Sequence, residues 1–445
     1  MDMEDTRQQA ESETDQKTPP KSVGQWAKIL VLIWGVLVLL PLVPLLPSSC
    51  CAILSVAGYD EPGIRVYSLA LTTLVAIGGA CGGTMLFGGA RALSKRPTKQ
   101  LRLPPLWAAI GAFVITLAIG LGLWQMASLA QLLGAWFIIA AATLPPLAAV
   151  IWAVDGHPGW LTWRRAGVAF SGGITVSVPL AILLEILVPS IVIGLLLGLG
   201  EPALSALEEL INLLAGGEVA RALTSTGFLI ALVELAVVAP LVEEIAKSLV
   251  VLPLLKGLDS RRDAFLLGVV AGAGFAALEN VIYAIFGGSY WGGILTVRAL
   301  GAAVHPLGTG LAAVAWHALL NKSPGTDKRW IGGFGLAVVQ HAVWNGGLVL
   351  WLALSGAAFF GPQAWEANVM GVGIAVGILA LIAVEGVALG TGLRMLSRQL
   401  DQAVTVEAFT PEEIATERAI ALWAVACLVV LLPVGLAVLQ AIWSK

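Results

Sequence analysis

VAPLVEEIAKSLVVLPLL, residues 238–255, is an aliphatic run in which Glu243 and Glu244 stand side by side and Lys247 follows one turn later. A charged side chain at the centre of a membrane helix costs roughly 2.5 to 3.5 kcal/mol on insertion scales. Three of them here, with Glu279 in the next apolar segment, cost on the order of 10 kcal/mol unless they face a polar cavity and one another. Ionisable residues kept inside a membrane at that cost are a functional signal. The next two apolar segments each add a histidine, His305 and His341.

The surroundings support a membrane reading. Of 445 residues, 58% are hydrophobic and only 12% charged, which is the composition of a polytopic membrane protein and excludes a soluble enzyme. A net charge of −3, with no basic run or aromatic-studded basic patch, excludes nucleic acid as a partner. Cys50, Cys51, Cys81 and Cys427 have no metal-ligand spacing and read as small apolar residues.

Apolar runs long enough to span a bilayer fall at 27–47, 68–90, 105–124, 129–153, 167–199, 227–255, 263–286, 294–320, 331–355, 368–393 and 417–442. The fold expected is therefore all-α, a polytopic helical bundle of about 11 spans. Pro179 and Pro189 leave the fifth run open to division into a span and a re-entrant piece. Four parts follow: a disordered tail over 1–22, an N-terminal four-helix membrane module over 23–164, a core over 165–400, and a connector with the last helix over 401–445. The basic clusters around Arg91–Arg102, Arg164, Lys256–Arg262, Lys328 and Arg394 all fall on one side of this arrangement. By the positive-inside rule that puts the N terminus in the cytoplasm and the C terminus outside. Glu201–Leu214 has an apolar face at helical spacing and is expected to lie along the outer surface.

At 3.6 residues per turn Glu243 and Lys247 share a face, and Glu244 also reaches Lys247. The lysine offsets one carboxylate and leaves the other free to act. In the seventh run Gly268, Gly272, Phe275 and Glu279 line one face, with Asn280 following. Arg298, His305 and Thr309 share a face of the eighth run, and His341 and Asn345 lie one turn apart in the ninth. Two imidazoles and spare carboxylates at one depth are suited to activating water for hydrolysis. Zn2+ would be held by Glu279, His305 and His341, with Glu243 or Glu244 taking the water's proton and Asn345 bonding the oxyanion. A metal-free version, in which glutamate and histidine act directly, fits the same residues. Phe275, Asn280 and Thr309 would support them.

Glu243-Glu244-x-x-Lys247, Phe275-x-x-x-Glu279-Asn280, His305 and His341-x-x-x-Asn345, in this order on four successive helices, resemble the PrsW-type intramembrane proteases of the CAAX-protease and bacteriocin-immunity superfamily. The resemblance is carried by residues 227 to 350 and implies an intramembrane protease, in the bacterial cytoplasmic membrane, that cuts a membrane-anchored protein such as an anti-sigma factor. Relatives that process prenylated proteins carry His where Glu279 stands, which argues against that substrate. Two other readings remain: a proton-coupled transporter, since acids and histidines also build proton relays, and a non-catalytic membrane scaffold. No repeated half, the usual mark of a transporter, is visible.

Overall fold

A computed structural model describes residues 25–46, 62–126, 128–155, 161–191, 200–215, 219–255, 260–320, 326–360 and 365–402, with Gly194, Gly198 and Leu258 as single positions. The described chain is helical, and its one β-bridge joins Gln100 to Thr162. The helices are α1 (Gln25–Leu39), α2 (Pro62–Leu93), α3 (Leu106–Trp124), α4 (Ser128–Val154), α5 (Trp163–Gly172), α6 (Val178–Pro189), α7 (Gly200–Ala215), α8 (Val219–Leu223), α9 (Thr226–Val233), α10 (Ala239–Leu255), α11 (Arg261–Phe286), α12 (Trp291–Leu300), α13 (Val304–Leu320), α14 (Thr326–Phe360) and α15 (Trp365–Gln402).

Among the described residues eight helical stretches are long and apolar enough to cross a membrane, or nine when α12 and α13, bent by 43°, count as one span. These coincide with nine of the eleven runs read from the sequence. The run over 227–255 is instead built from two helices of 8 and 17 residues joined by a turn of π-helix, and the run over 417–442 lies outside the described residues, as does the 1–22 tail.

Two turns of π-helix have one cause. Gly173–Ser177 precedes Pro179, and Glu234–Val238 precedes Pro240, at the same offset. A proline lacks the N–H and its ring collides with the carbonyl four residues back, Thr175 or Ala236, so the chain widens by a residue there. The first proline therefore does not divide the fifth run: Trp163–Pro189 continues as a single 27-residue stretch.

α11 is the central helix. It packs against α4, α5, α10, α12 and α13 and is buried from Ala264 to Ala277. Its small residues allow this: a Cβ on Gly272 or Gly268 would overlap the backbone of α13 at His305 and Thr309, and one on Gly274 would overlap that of α5 at Phe170. Two apolar cores form along it. One contains Phe265, Val269 and Ala273 with Leu255 and Leu307; the other contains Val281 and Ala284 with Phe113, Trp291 and Trp344. Glu279 and Asn280 fall between the two cores, and so does the site.

The N-terminal helices are not remote from this centre. α4 runs beside α11, where Asn280 Nδ2 donates to the Ala142 carbonyl (3.0 Å), and its end is tied to α15 by Trp152 Nε1 to Gly390 O (2.9 Å) and by the Arg394–Asp155 ion pair (2.6 Å). α7 is helical over the stretch whose spacing predicts a helix. Its Leu210 and Leu213 pack on Ala222 and Phe228, while Leu204 and Ile211 stay exposed.

Candidate active site

Helix α10 starts at the π turn and aims three charged side chains inward. Lys247 Nζ lies 2.8 Å from Glu243 Oε2 and 2.9 Å from Glu244 Oε1, the i,i+4 and i,i+3 contacts that helical spacing predicts. All three residues are buried: Glu244 is fully enclosed and Lys247 is 1% exposed. The outer face of the same helix carries Leu241, Ile245 and Leu249, exposed at four-residue intervals, so α10 separates the charges from lipid by one helix thickness.

His305 enters from the first turn of α13, just past the α12–α13 bend. Gly301 at that bend abuts the Trp344 ring, and Gln340 Nε2 donates to the Val304 carbonyl (3.0 Å), so α14 braces the break from which His305 projects. His305 Nε2 is 2.7 Å from Glu279 Oε2, and its Nδ1 is 2.7 Å from Lys247 Nζ. A carboxylate accepts and an ammonium donates, which fixes the tautomer: Nε2 carries the hydrogen and Nδ1 offers a lone pair. The same logic applies to His341 on α14. Its Nδ1 donates to Glu244 Oε1 (3.1 Å), leaving Nε2 as a bare acceptor that is buried and without a hydrogen-bond partner.

The two unprotonated ring nitrogens converge on one carboxylate, His341 Nε2 unpartnered and His305 Nδ1 shared with Lys247. Glu243 Oε2 lies 3.9 Å from His305 Nδ1 and 3.7 Å from His341 Nε2, and the imidazole rings meet edge to face with centroids 4.7 Å apart. Glu243, His305 and His341 each bring a donor atom within 4.8 Å of the others, and among the described residues they form the sole such group of histidine, cysteine or carboxylate side chains. This donor set fits a divalent ion. Each histidine presents an unprotonated nitrogen, its other nitrogen is held by a carboxylate in the way metal-ligating histidines usually are, and His341 Nε2 and Glu243 Oε2 are buried polar atoms without a hydrogen bond. Glu243 Oε2 contacts Lys247 as an ion pair, without hydrogen-bond alignment.

Placement departs from the sequence expectation at two residues. Glu279, expected to complete the histidine trio, lies on the far side of the His305 ring. Arg298 holds it there, with Nη2 at 2.5 Å from Glu279 Oε2 and Nε donating to Asn280 Oδ1. Glu243 stands in the place that Glu279 was expected to take. Asn345, expected at the oxyanion, instead donates from Nδ2 to the Leu235 carbonyl (3.1 Å) in the π turn. That carbonyl lacks a main-chain partner because Pro240 has no N–H and the Ala239 N–H goes to Glu234 O.

The supporting residues fall as follows. The Phe275 ring is 5.2 Å from the His305 ring and 4.2 Å from Lys247 Nζ, forming an apolar wall with a cation–π contact. Thr309 is buried one turn from His305 and faces Gly272. Arg298 was visible in the sequence as a face-mate of His305 but had no assigned partner; its pairing with Glu279 and Asn280 needs the bend between α12 and α13, which spacing does not report.

A polytopic helical membrane protein with a cluster of two buried glutamates, two buried histidines and a buried lysine, flanked by the partly exposed Glu279, is thus defined. The chain matches the model of the PrsW family intramembrane metalloproteases over residues 161–384, half its length, and belongs to that family. No curated protein and no solved structure matches it.

Proposed function

We propose that the protein is an endopeptidase that hydrolyses a peptide bond in or near the membrane segment of a membrane-anchored protein, using water placed among Glu243, His305 and His341. The carrying observation is that two imidazoles, each oriented by its own carboxylate, turn their remaining ring nitrogens toward Glu243 beside Phe275 and Lys247. His341 Nε2 accepts one hydrogen of the water, and Glu243 receives the other as a proton. Glu244 and Glu279 keep the two rings in the required tautomers, and Arg298 keeps Glu279 in place. Lys247 offsets charge that the two buried acids Glu243 and Glu244 would otherwise leave uncompensated. A divalent ion, Zn2+ by the chemistry of the set, would be held by Glu243, His305 and His341 in place of that hydrogen-bonded arrangement and would itself supply Lewis-acid activation of the water.

The substrate is a membrane-anchored protein because the site lies at the centre of a helical membrane bundle behind the apolar face of α10; an anti-sigma factor is the example the resemblance offers. We place the protein in the bacterial cytoplasmic membrane with its N terminus inside, from the one-sided basic clusters. Membership of a protease family weighs against the transporter and scaffold readings. In proteoliposomes, cleavage of a single-pass reporter should vanish in Glu243→Gln and His341→Ala proteins that retain the wild-type melting profile. Continued cleavage by either folded variant removes the proposal.

A further inference from the structure

Lys247 Nζ touches two of the three atoms that make the ion-binding trio: it is 2.8 Å from Glu243 Oε2 and 2.7 Å from His305 Nδ1. Those two atoms are themselves 3.9 Å apart, so the ammonium stands where both can be reached at once. An ion bonded to the same pair needs donor distances of about 2.0–2.2 Å and therefore uses the same interval. Volume and like charge forbid both cations there together.

We infer that Lys247 is a resident cation that competes with the divalent ion for the Glu243–His305–His341 basin, an inference that rests on the reading of those three residues as the ion site. In the ion-free protein the ammonium balances Glu243 and Glu244 and lets the pocket close without metal. When the ion arrives, the ammonium withdraws from Glu243 Oε2 and His305 Nδ1. A second resting place adjoins it: Glu244 Oε1 at 2.9 Å and the Phe275 ring face, 4.2 Å from Nζ to centroid. Both remain available after withdrawal, because Glu244 is outside the trio and Phe275 is not a ligand. The flexible four-carbon stem makes this shift short, which the rigid fork of an arginine would not. His341 Nε2, buried and without a hydrogen-bond partner, is the third ligand at the opposite side.

The test is zinc binding by the full chain in detergent micelles, read by calorimetric titration, by metal content after gel filtration and by the unfolding temperature with and without Zn2+. Wild type, Lys247→Met, His341→Ala and the double variant are compared. Lys247→Met should bind Zn2+ at least about tenfold more tightly than wild type, or about 1.4 kcal/mol, and Zn2+ should raise its unfolding temperature by more; His341→Ala should abolish binding in both backgrounds. Zinc that needs His341 but binds Lys247→Met no more tightly than wild type overturns the competition while the trio stands. Zinc indifferent to His341, or bound by no variant, overturns the trio and the competition with it. Should Lys247→Met fail to fold without metal, Lys247→Gln, which keeps hydrogen bonding but not charge, must show the same ordering or the inference fails.

Discussion

Asn345 separates two physical roles that the sequence could not distinguish. Its amide is committed to the Leu235 carbonyl, an acceptor left without a main-chain donor by Pro240 and by the π turn. Replacing it with alanine leaves a carbonyl unpaired next to a membrane-spanning helix. The bond lies at the exposed surface of the bundle, where lipid offers no other donor, so losing it costs at most about 1–3 kcal/mol, whereas measured side-chain hydrogen bonds inside membrane bundles average about 0.6 and reach about 1.7 kcal/mol. The expected loss for Asn345→Ala is therefore about 1–2 kcal/mol of folding stability, with cleavage by the folded fraction reduced only as far as α10 shifts against α14. The cause can be isolated with a double-mutant cycle. Pro240→Ala restores a main-chain N–H at the position from which Leu235 O can be satisfied, so Asn345→Ala should cost less in that background. Equilibrium unfolding in mixed micelles gives the stabilities, and single-turnover reporter cleavage gives the rate. An oxyanion donor would behave in the opposite way, losing about 10²–10³ in rate with stability intact. Unchanged stability together with a rate loss of that size, or equal costs in both backgrounds, would refute the argument.

Two further outcomes follow from the geometry. Glu244→Gln exchanges the carboxylate that keeps the hydrogen on His341 Nδ1 for a neutral amide, whose NH2 can face the ring instead, and removes half of the counter-charge of Lys247; cleavage by the folded variant should fall by about 10²–10⁴, in line with losses when a histidine-orienting carboxylate is neutralised, as measured by reporter turnover against a melting control. Gly272→Val drives a side chain into the His305 backbone, so α11 and α13 must separate. That variant should lose stability by about 1–3 kcal/mol and lose cleavage with it, whereas Gly111→Ala, at a position with open space around it, should change neither.

Much of the site was legible because a lipid environment makes charge conspicuous. The Glu243-Glu244-Lys247 face, the two histidines and the small-residue face of α11 could all be read from spacing, since helical period fixes which side chains of one helix point together. Pro179 and Pro240 set the π turns by a local rule, the missing N–H, but the spacing of Pro179 read only as a possible division of its run and Pro240 was not read at all. The families of spans followed from run length, and a π turn split the 227–255 run into shorter helices for the same local reason.

What spacing could not supply was the rotation of one helix against the next. Whether Glu243 or Glu279 completes the histidine pair depends on which edge of the His305 ring each meets, and Arg298 decides that from beyond a 43° bend. The choice of ring nitrogen on His305 and His341 depends on carboxylates on other helices. Asn345 was drawn to a carbonyl that only the α9–α10 junction exposes. The sequence alone determined that these ionisable groups lie inside a membrane bundle and must meet one another, because leaving them to lipid is too costly; the tertiary packing decided which atoms meet, because hydrogen-bond direction is set by helix rotation and tilt, quantities to which a one-dimensional pattern is blind.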